Sequence, residues 1–317
     1  MGFIRFFRNW LRHDSIVRQR LDLQYHELYE LHNMMQEDRK RIKIDELREK
    51  TLCSTMKGVS DDLLCEHEVI VSLTSFGKRI YDVHLAIESI MQGSVKPNRI
   101  ILWLSEEEFK GKPLPKTLEK QKNRGLQIEY CEDLRSYKKI VPTMEKYPDA
   151  CIVTIDDDLM YEFDLLENLI NTHCTNPEDI CACRMHRITL DSDNRPNGYM
   201  KWQWMVWPKD KSNLNFLTSG GGALFPPRCF VEEFFNREAF MSICPYADDV
   251  WINAMILMSG RQISKSYTHS KTGCDYVESY FKQDDALSKE NTNSSNCRND
   301  IQLKAVCEKY NLYEKFI

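Results

Sequence analysis

The chain has 317 residues, of which 42% are hydrophobic, as in globular proteins with one large or two modest domains. Its formal charge of -5 and pI near 6.0 argue against a nucleic-acid binder that relies on a general phosphate-seeking surface. No stretch approaches the length needed to span a bilayer, which argues against an integral membrane protein.

The 12 cysteines follow no repeating framework, and the N-terminus lacks the apolar core and cleavage site of a secretory signal. These features predict a reducing, cytoplasmic location. Cys174, Cys181 and Cys183 imitate a metal cluster, but no second pair stands at zinc-finger spacing. The sequence therefore predicts that these three are buried thiols.

Residues 1–50 are predicted to form a helical segment that differs in kind from the rest. Residues 3–12 interleave large apolar side chains with Arg5, Arg8 and Arg12, which is typical of a basic amphipathic helix in a membrane interface. Its partner would be an anionic membrane surface, the inner face of the cytoplasmic membrane. Packing of these aromatic residues on the second domain is the alternative.

A seven-residue repeat follows the basic segment, at Leu21, Leu28, Met35 and Ile42. Polar residues at most of the intermediate positions weaken the apolar seam. The pattern predicts a short coiled coil, or a helix laid on a neighbour, and a homo-oligomer formed through residues 21–42.

The second domain, residues 67–317, is predicted to follow a polar linker at residues 51–66. Its first half alternates short apolar runs with helical patterns, which predicts an α/β fold with a mainly parallel sheet and flanking helices. Ligands of such sheets gather at the carboxyl ends of the strands. The predicted strands are Glu68–Leu73, Arg99–Leu104, Gln127–Cys131 and Cys151–Ile155, with helices near 80–91, 137–147 and 163–174.

The loop after the first strand, Thr74–Arg79, combines hydroxyls, backbone N–H groups and positive charge in front of a helix. Such a loop is a natural nucleotide site, with Thr74, Ser75 and Arg79 as candidate contacts. The loop lacks the glycine spacing of dinucleotide-binding and P-loop proteins, which argues against NAD and simple ATPases. Lys139, in the helix after the third strand, is a further candidate contact.

Three consecutive acids, Asp156, Asp157 and Asp158, follow the fourth strand. Like charges at this spacing repel, so a positive partner is expected, and hard oxygen ligands at a strand end favour Mg²⁺ or Mn²⁺. The alternative is a solvated acidic turn that caps the next helix.

Later segments add further candidates. Trp202 and Trp204 are two residues apart, on one face of a predicted strand, where they stack on a sugar or fill a core. Gly220, Gly221 and Gly222 lie between apolar residues and remove side chains where a ligand or another backbone must approach closely; the alternative is a mobile turn. Asp248 and Asp249 open an apolar helix, where they either cap the helix or provide a general base. His269 is either a metal ligand or a polar residue at the sheet edge.

The order and spacing of these features resemble nucleotide-sugar glycosyltransferases of the GT-A fold. The features are the acids at 156–158, the glycines at 220–222, the acid pair at 248–249 and His269. The spacing is most similar to the Fringe and β1,3-galactosyltransferase group. Residues 68–317 also resemble bacterial glycosyltransferases of capsule and surface-polysaccharide gene clusters.

The resemblance implies a role for each residue. Asp156 and Asp158 would bring Mn²⁺ or Mg²⁺ to the donor diphosphate, Asp157 would border the donor, and His269 would complete the metal shell. Asp249 would be the general base of an inverting enzyme, and Asp248 would orient the acceptor. The donor would be a nucleotide sugar, with UDP-sugar expected, and the acceptor a glycan or lipid-linked glycan. The glycines would face both, and the loop residues Thr74, Ser75 and Arg79 would contact the nucleotide.

Three rival interpretations stay open. A phosphotransferase with a nucleophilic Asp expects Thr or Val where Met160 stands, and it leaves the glycines and second acid pair unexplained. A retaining glycosyltransferase would use the same donor site. The third is an interaction protein that assembles through residues 21–42 and keeps a degenerate transferase domain.

Overall fold

A computed structural model describes residues 2–208, 210–267, 276–278 and 297–317, and for residues 2–16, 18 and 19 it describes the backbone alone. The chain divides into two compact units, Met1–Glu46 and Leu47–Ile317. The domain boundaries expected from sequence, at residues 50 and 67, stay a prediction.

One helix, α1 (Gly2–Cys53), runs for 52 residues and joins the two segments that the sequence patterns distinguish. Leu21, Leu28, Met35 and Ile42 are all exposed along it. The side chains of residues 3–12, on which the membrane prediction rests, lie outside those described. Among the described residues, no helix is both long enough and apolar enough to cross a bilayer.

The second unit is built on a seven-stranded sheet with strand order β10-β6-β9-β4-β1-β2-β3. Neighbouring strands pair in parallel except at β9, which runs antiparallel to both β4 and β6. The predicted α/β fold with a mainly parallel sheet is confirmed. The sheet strands are β1 (Val69–Thr74), β2 (Arg99–Ser105), β3 (Leu126–Cys131), β4 (Cys151–Thr154), β6 (Ile180–Ala182), β9 (Ala223–Phe225) and β10 (Ile263–Lys265).

Two strand pairs and eight short helices surround this sheet in the described residues. The pairs are β5 (Leu159–Tyr161) with β11 (Tyr276–Glu278), and β7 (Met185–Arg187) with β8 (Asn215–Leu217). The helices are α2 (Val83–Met91), α3 (Glu106–Phe109), α4 (Lys116–Lys122), α5 (Val141–Lys146), α6 (Leu165–Thr175), α7 (Arg237–Ile243), α8 (Asp248–Ser259) and α9 (Arg298–Tyr310).

Alternating residues of the central strands point into two separate cores. Ile70 and Ile152 face one apolar cluster, whereas Val71 and Val153 face the other, and all four are buried. Because helices and loops cover both faces, the strands read as continuous apolar runs, as expected for a parallel sheet.

One predicted strand is wrong. The region around Trp202 and Trp204 forms a short 3-10 turn at Tyr199–Lys201, followed by an isolated bridge between Gln203 and Arg187. A single bridge does not make a strand, so the shared face predicted from the two-residue spacing does not apply. Trp202 is 5% exposed and packs in the core, whereas Trp204 is 45% exposed.

The strand registers bring four chain segments to one edge of the sheet. Ser72 pairs with Thr154, Thr154 pairs with Ala223, and Ala223 pairs with Ala182. The carboxyl ends of β1, β4 and β6 therefore meet the start of the antiparallel β9 at this edge.

Candidate functional site at the carboxyl edge of the sheet

The three acids after β4 belong to two separate networks. Asp157 accepts a hydrogen bond from Ser75 Oγ at 2.6 Å and pairs with Arg79 Nη1 at 2.8 Å. Asp158 contacts the same guanidinium at 3.2 Å. Ser75 and Arg79 follow β1, so this network joins the loop after β1 to the acids after β4. The positive partner that the acids require is, in part, a side chain of the protein itself.

Asp156 belongs to a second network, through the buried Lys139. The Lys139 ammonium lies 2.7 Å from Asp156 Oδ1 and 3.1 Å from Asp248 Oδ2. Lys139 ends a 3-10 turn (Arg135–Lys139) after β3, and Asp248 opens α8. One cation thus connects the acids after β4 with the acid pair at the start of α8.

Asp249 is held by the residue that precedes the glycines. Its Oδ1 accepts hydrogen bonds from the backbone N–H of Ser219 at 2.8 Å and from the Ser219 hydroxyl at 2.6 Å. One turn later on α8, the Asn253 amide donates to the carbonyls of Leu217 at 2.8 Å and of Asp249 at 2.7 Å. Asn253 therefore fixes the start of α8 against the end of β8.

The glycine run packs directly against the acids. A Cβ atom at Gly220 would overlap the Asp156 carboxylate, and one at Gly221 would press on the side chain of Arg184. Gly222 has φ +95°, a conformation that L side chains rarely adopt. The three glycines are buried, and the space beside Gly220 that a side chain would fill is taken by the Asp156 carboxylate.

Arg184, which the sequence reading missed, lies beside the same glycines. Its Nε donates to the Thr218 hydroxyl, and its Nη1 donates to Tyr276 Oη at 2.6 Å. Burial alone would lower its pKa, but Tyr276 and Asp156 raise it overall. One feature of the sequence could have identified Arg184 as a candidate: it lies just after β6, at the same sheet edge as the acids after β4.

Tyr161 was missed as well. Its hydroxyl donates to the Gly220 carbonyl at 2.5 Å and accepts from the backbone N–H of Asp156 at 2.8 Å. It connects the first acid to the glycine run. Because it is buried in β5, an apolar stretch, nothing in the sequence pattern distinguishes it from a core residue.

Burial and neighbouring charges move the acids in opposite directions. Burial, with the nearby Asp248 charge, raises the pKa of Asp249 to about 6. Burial also raises the pKa of Asp157, although Arg79 and Ser75 oppose it. For Asp156 burial is outweighed by Lys139, Arg184 and Arg79, so its pKa is lowered. Asp249 is the acid best suited to take up a proton near neutral pH.

The donor set fits a hard divalent cation. The site holds five carboxylates, at 156–158 and 248–249, and three cationic side chains, Arg79, Lys139 and Arg184, which leaves two negative charges when all are ionised. Asp157 is occupied by Ser75 and Arg79; Asp156 Oδ1 is bonded to Lys139, but the Asp156 side chain is 33% exposed. Carboxylate oxygens are the ligands that Mg²⁺ and Mn²⁺ prefer.

An aromatic cluster borders the acid pair. The Tyr199 ring lies 4.8 Å from Trp202 and 5.2 Å from Trp204, and the Asp249 charge adds to the burial that raises the Tyr199 pKa. His186 lies 5.0 Å from Trp204 and accepts a hydrogen bond from the Met205 backbone. Trp204, 45% exposed, is therefore a flat apolar surface on this cluster, of which Tyr199 is the member that senses the Asp249 charge.

Thr74 is not part of these networks, and His269 is not in the described part of the chain. The Thr74 hydroxyl donates to the Trp103 carbonyl at 2.8 Å, which ties β1 to β2. His269 lies outside the described residues, so the third predicted metal ligand stays a prediction. Of the three clustered cysteines, Cys181 and Cys183 are buried as predicted, whereas Cys174 is exposed because it lies on the outer face of α6.

No protein-family model matches the chain, and no curated protein matches it. Among solved structures, the chain is similar to a CMP:2-keto-3-deoxy-manno-octonic acid synthetase complexed with CTP. The identity is 10% and the TM-score 0.37, and the match covers 62% of this chain and 88% of that chain. The functional assignment therefore rests on the geometry of the site.

Proposed function

We propose that this protein is a metal-dependent glycosyltransferase that moves a sugar from a nucleotide sugar, with UDP-sugar expected, to a hydroxyl of a glycan or lipid-linked acceptor. The observation that carries the proposal is the linkage of two acid groups through Lys139. Asp156 at the end of β4 and Asp248 at the start of α8 share this buried ammonium, with Asp249 next to it. The shared ammonium places the acids expected to bind the donor next to the acids expected to bind the acceptor, which supports a single site with a donor half and an acceptor half.

The donor half is the region of Ser75, Arg79, Asp156 and Asp158. Asp156 and Asp158 would hold Mn²⁺ or Mg²⁺, which, when bound, neutralises charge on the departing diphosphate. Arg79 contacts Asp157 and Asp158 and supplies a fixed positive charge beside them. Because Asp157 accepts from Ser75 and Arg79, its role is to position the loop after β1 under the nucleotide.

The acceptor half is centred on Asp249. Its Oδ1 is occupied by the two bonds from Ser219, which orient the carboxylate and leave Oδ2 to receive a proton. A pKa of about 6 leaves most of the carboxylate ionised at neutral pH and still basic enough to share a hydroxyl proton. Asp248, paired with Lys139, orients the acceptor beside it.

The transfer step balances in atoms and charge. The acceptor O–H proton goes to Asp249, the acceptor oxygen forms a bond to the anomeric carbon, and the bond from that carbon to the diphosphate oxygen breaks. The nucleoside diphosphate leaves with the electron pair. Attack from the face opposite the leaving group inverts the anomeric configuration, by the same logic as in glycosidases.

The exposed face of Trp204 is suited to the acceptor sugar. Aromatic rings stack on the apolar faces of sugars. Contacts with Tyr199 and His186 fix the orientation of the Trp204 ring. A glycan acceptor of this kind agrees with a role in capsule or surface-polysaccharide synthesis.

The test is nucleoside diphosphate release from a panel of nucleotide sugars by the full chain, with and without Mn²⁺. We expect one donor to be cleaved slowly without acceptor, only with the metal, and the same donor to raise the melting temperature by mass action. Asp156→Asn should abolish both effects.

Two results would decide against the proposal. Failure of every donor to bind or react in the presence of Mn²⁺ would leave the interaction-protein interpretation. Phosphate release from a phosphomonoester, with no donor cleavage, would support the phosphotransferase instead. NMR of the new glycosidic linkage separates inversion from retention.

A further inference from the structure

A second cluster of ligand side chains lies at the edge of the sheet opposite the acids. Cys151 opens β4, five residues before Asp156, and Cys65 lies in the segment that leads into β1. His173 lies in the last turn of α6. Because a strand rises about 3.3 Å per residue, Cys151 and Asp156 are about 16 Å apart. The cluster is therefore separate from the proposed transferase site.

The three ligand atoms are spaced as zinc requires. Cys65 Sγ lies 4.0 Å from Cys151 Sγ, Cys151 Sγ lies 3.5 Å from His173 Nε2, and all three atoms lie within 4.8 Å of one another. Zinc bonds of about 2.3 Å to sulfur and about 2.0 Å to nitrogen, in a tetrahedral arrangement, separate two sulfurs by about 3.8 Å and sulfur from nitrogen by about 3.6 Å. The observed spacings agree with these values.

Ordinary core packing does not account for the histidine. The His173 side chain is 5% exposed, and its Nδ1 has no hydrogen-bond partner among the described residues. Its Nε2 faces the buried sulfur of Cys151. The observation that points to an ion is at Nε2: this buried nitrogen faces a thiol sulfur, a weak hydrogen-bond partner, whereas an ion between the two atoms would bind both strongly.

We propose that Cys65, Cys151 and His173 bind a zinc ion. Two thiolates and an imidazole select zinc over the hard cations that suit the carboxylates at the other edge. Cys65 is half-buried, so water can complete the fourth position there. The ion ties the irregular segment before β1 to β4 and to the end of α6.

The fold explains why residues 65, 151 and 173 converge. The segment holding Cys65 arrives at the amino edge of the sheet just before β1, and the Cys151 N–H bonds the Glu68 carbonyl there at 2.8 Å. Helix α6 follows β4 along the chain, and its last turn lies against the start of that strand. The three ligands therefore stabilise one corner where three separate chain segments meet.

The test uses the full chain expressed with zinc and analysed by elemental analysis, and by absorption after exchange with Co²⁺. We expect about one zinc per chain and cobalt–thiolate charge-transfer bands, which the oxygen ligands of the acid site cannot produce. Cys65→Ser and His173→Gln should lose the bands and the zinc. The exposed neighbour Cys174→Ser should keep both, and so should Asp156→Asn.

Chelation supplies a readout that does not depend on folding of the variants. A strong zinc chelator should lower the melting temperature of the unchanged protein, and zinc should restore it, because an ion bound by the folded chain stabilises the folded state. The proposal is overturned by zinc-free protein that shows no thiolate bands with cobalt, or by bands that persist in Cys65→Ser. A Cys65–Cys151 disulfide in a non-reduced peptide map of fresh protein would overturn it equally.

Discussion

At the residue scale, Asp156 and Asp249 are both partly buried and both lie near Lys139, yet their pKa values shift in opposite directions. Lys139, Arg184 and Arg79 overcome burial at Asp156 and keep it ionised. At Asp249 burial and the Asp248 charge dominate, and the pKa rises to about 6. Environments that separate the pKa values of neighbouring acids are a common means of assigning one to charge stabilisation and the other to proton transfer.

We expect Asp249→Asn to lower turnover by about 10²- to 10⁴-fold, the usual contribution of a general base. Calorimetry should show donor and Mn²⁺ binding nearly unchanged, because Asn can still accept from Ser219. For the unchanged protein, kcat/KM should fall as pH drops below about 6, where Asp249 becomes protonated. Normal turnover in the variant, or a flat profile through this range, would show that another group is the base.

The same substitution also has a consequence for stability. The folded state raises the pKa of Asp249 from its ordinary value of 3.8 to about 6, so folding favours the protonated form. Its ionisation therefore reduces stability as pH rises through this interval, and the reduction is complete above about 6. Asp249→Asn should melt no lower than the unchanged protein at pH 7.5.

At the element scale, α8 carries the acid pair, and Asn253 fastens this helix to the end of β8. Asn253 accepts from the Leu217 N–H at 2.9 Å and donates to the carbonyls of Leu217 and Asp249. These bonds join α8 to the strand that leads into Ser219. Since Ser219 orients Asp249, a shift of α8 along β8 would disturb the base without touching it.

Asn253→Ala should therefore reduce both stability and turnover. Removing the amide leaves two buried backbone groups of Leu217 unpaired, at about 1–3 kcal/mol each, so we expect a loss of about 2–6 kcal/mol in urea unfolding. The kcat should fall more than donor affinity, which depends on the other half of the site. Asn171→Ala, on the exposed surface of α6, is the matched control and should change stability by less than about 0.5 kcal/mol. Equal effects of the two substitutions would argue against this role.

At the scale of the whole molecule, the first unit offers an assembly surface. Leu21, Leu28, Met35 and Ile42 are between 54% and 66% exposed on a helix of 52 residues. A row of exposed apolar residues at heptad spacing is the pattern by which helices pair with a second copy.

We expect the full chain to be an oligomer by light scattering and the double variant Leu28→Lys, Met35→Lys to be a monomer, because two charges would face each other across the seam. The control is His26→Lys with Asn33→Lys, which adds the same charges two residues before each substituted seam position, on the outer side of the helix. A monomeric unchanged protein, or dissociation of both variants alike, would contradict assembly through residues 21–42.

Local sequence was sufficient for the first four sheet strands and for most of the candidate site. Their apolar runs are continuous because both faces of the sheet are buried, so each strand can be recognised from consecutive residues alone. The acids after β4, the loop after β1, the glycines and the acid pair were recognisable because polar groups at strand and helix ends stand out from apolar surroundings.

Tertiary structure alone decided what depends on partners far apart in the chain. Nothing local distinguishes Tyr161 from a core residue, indicates that β9 runs antiparallel, or shows that Trp202 is buried while Trp204 is exposed. The acid triplet is the sharpest case: three identical side chains differ only because Ser75 and Arg79 approach one and Lys139 another. The sequence alone shows that charged residues follow these strands. Which charged side chains pair with each other depends on the sheet register, because the register brings β1, β4 and β9 side by side.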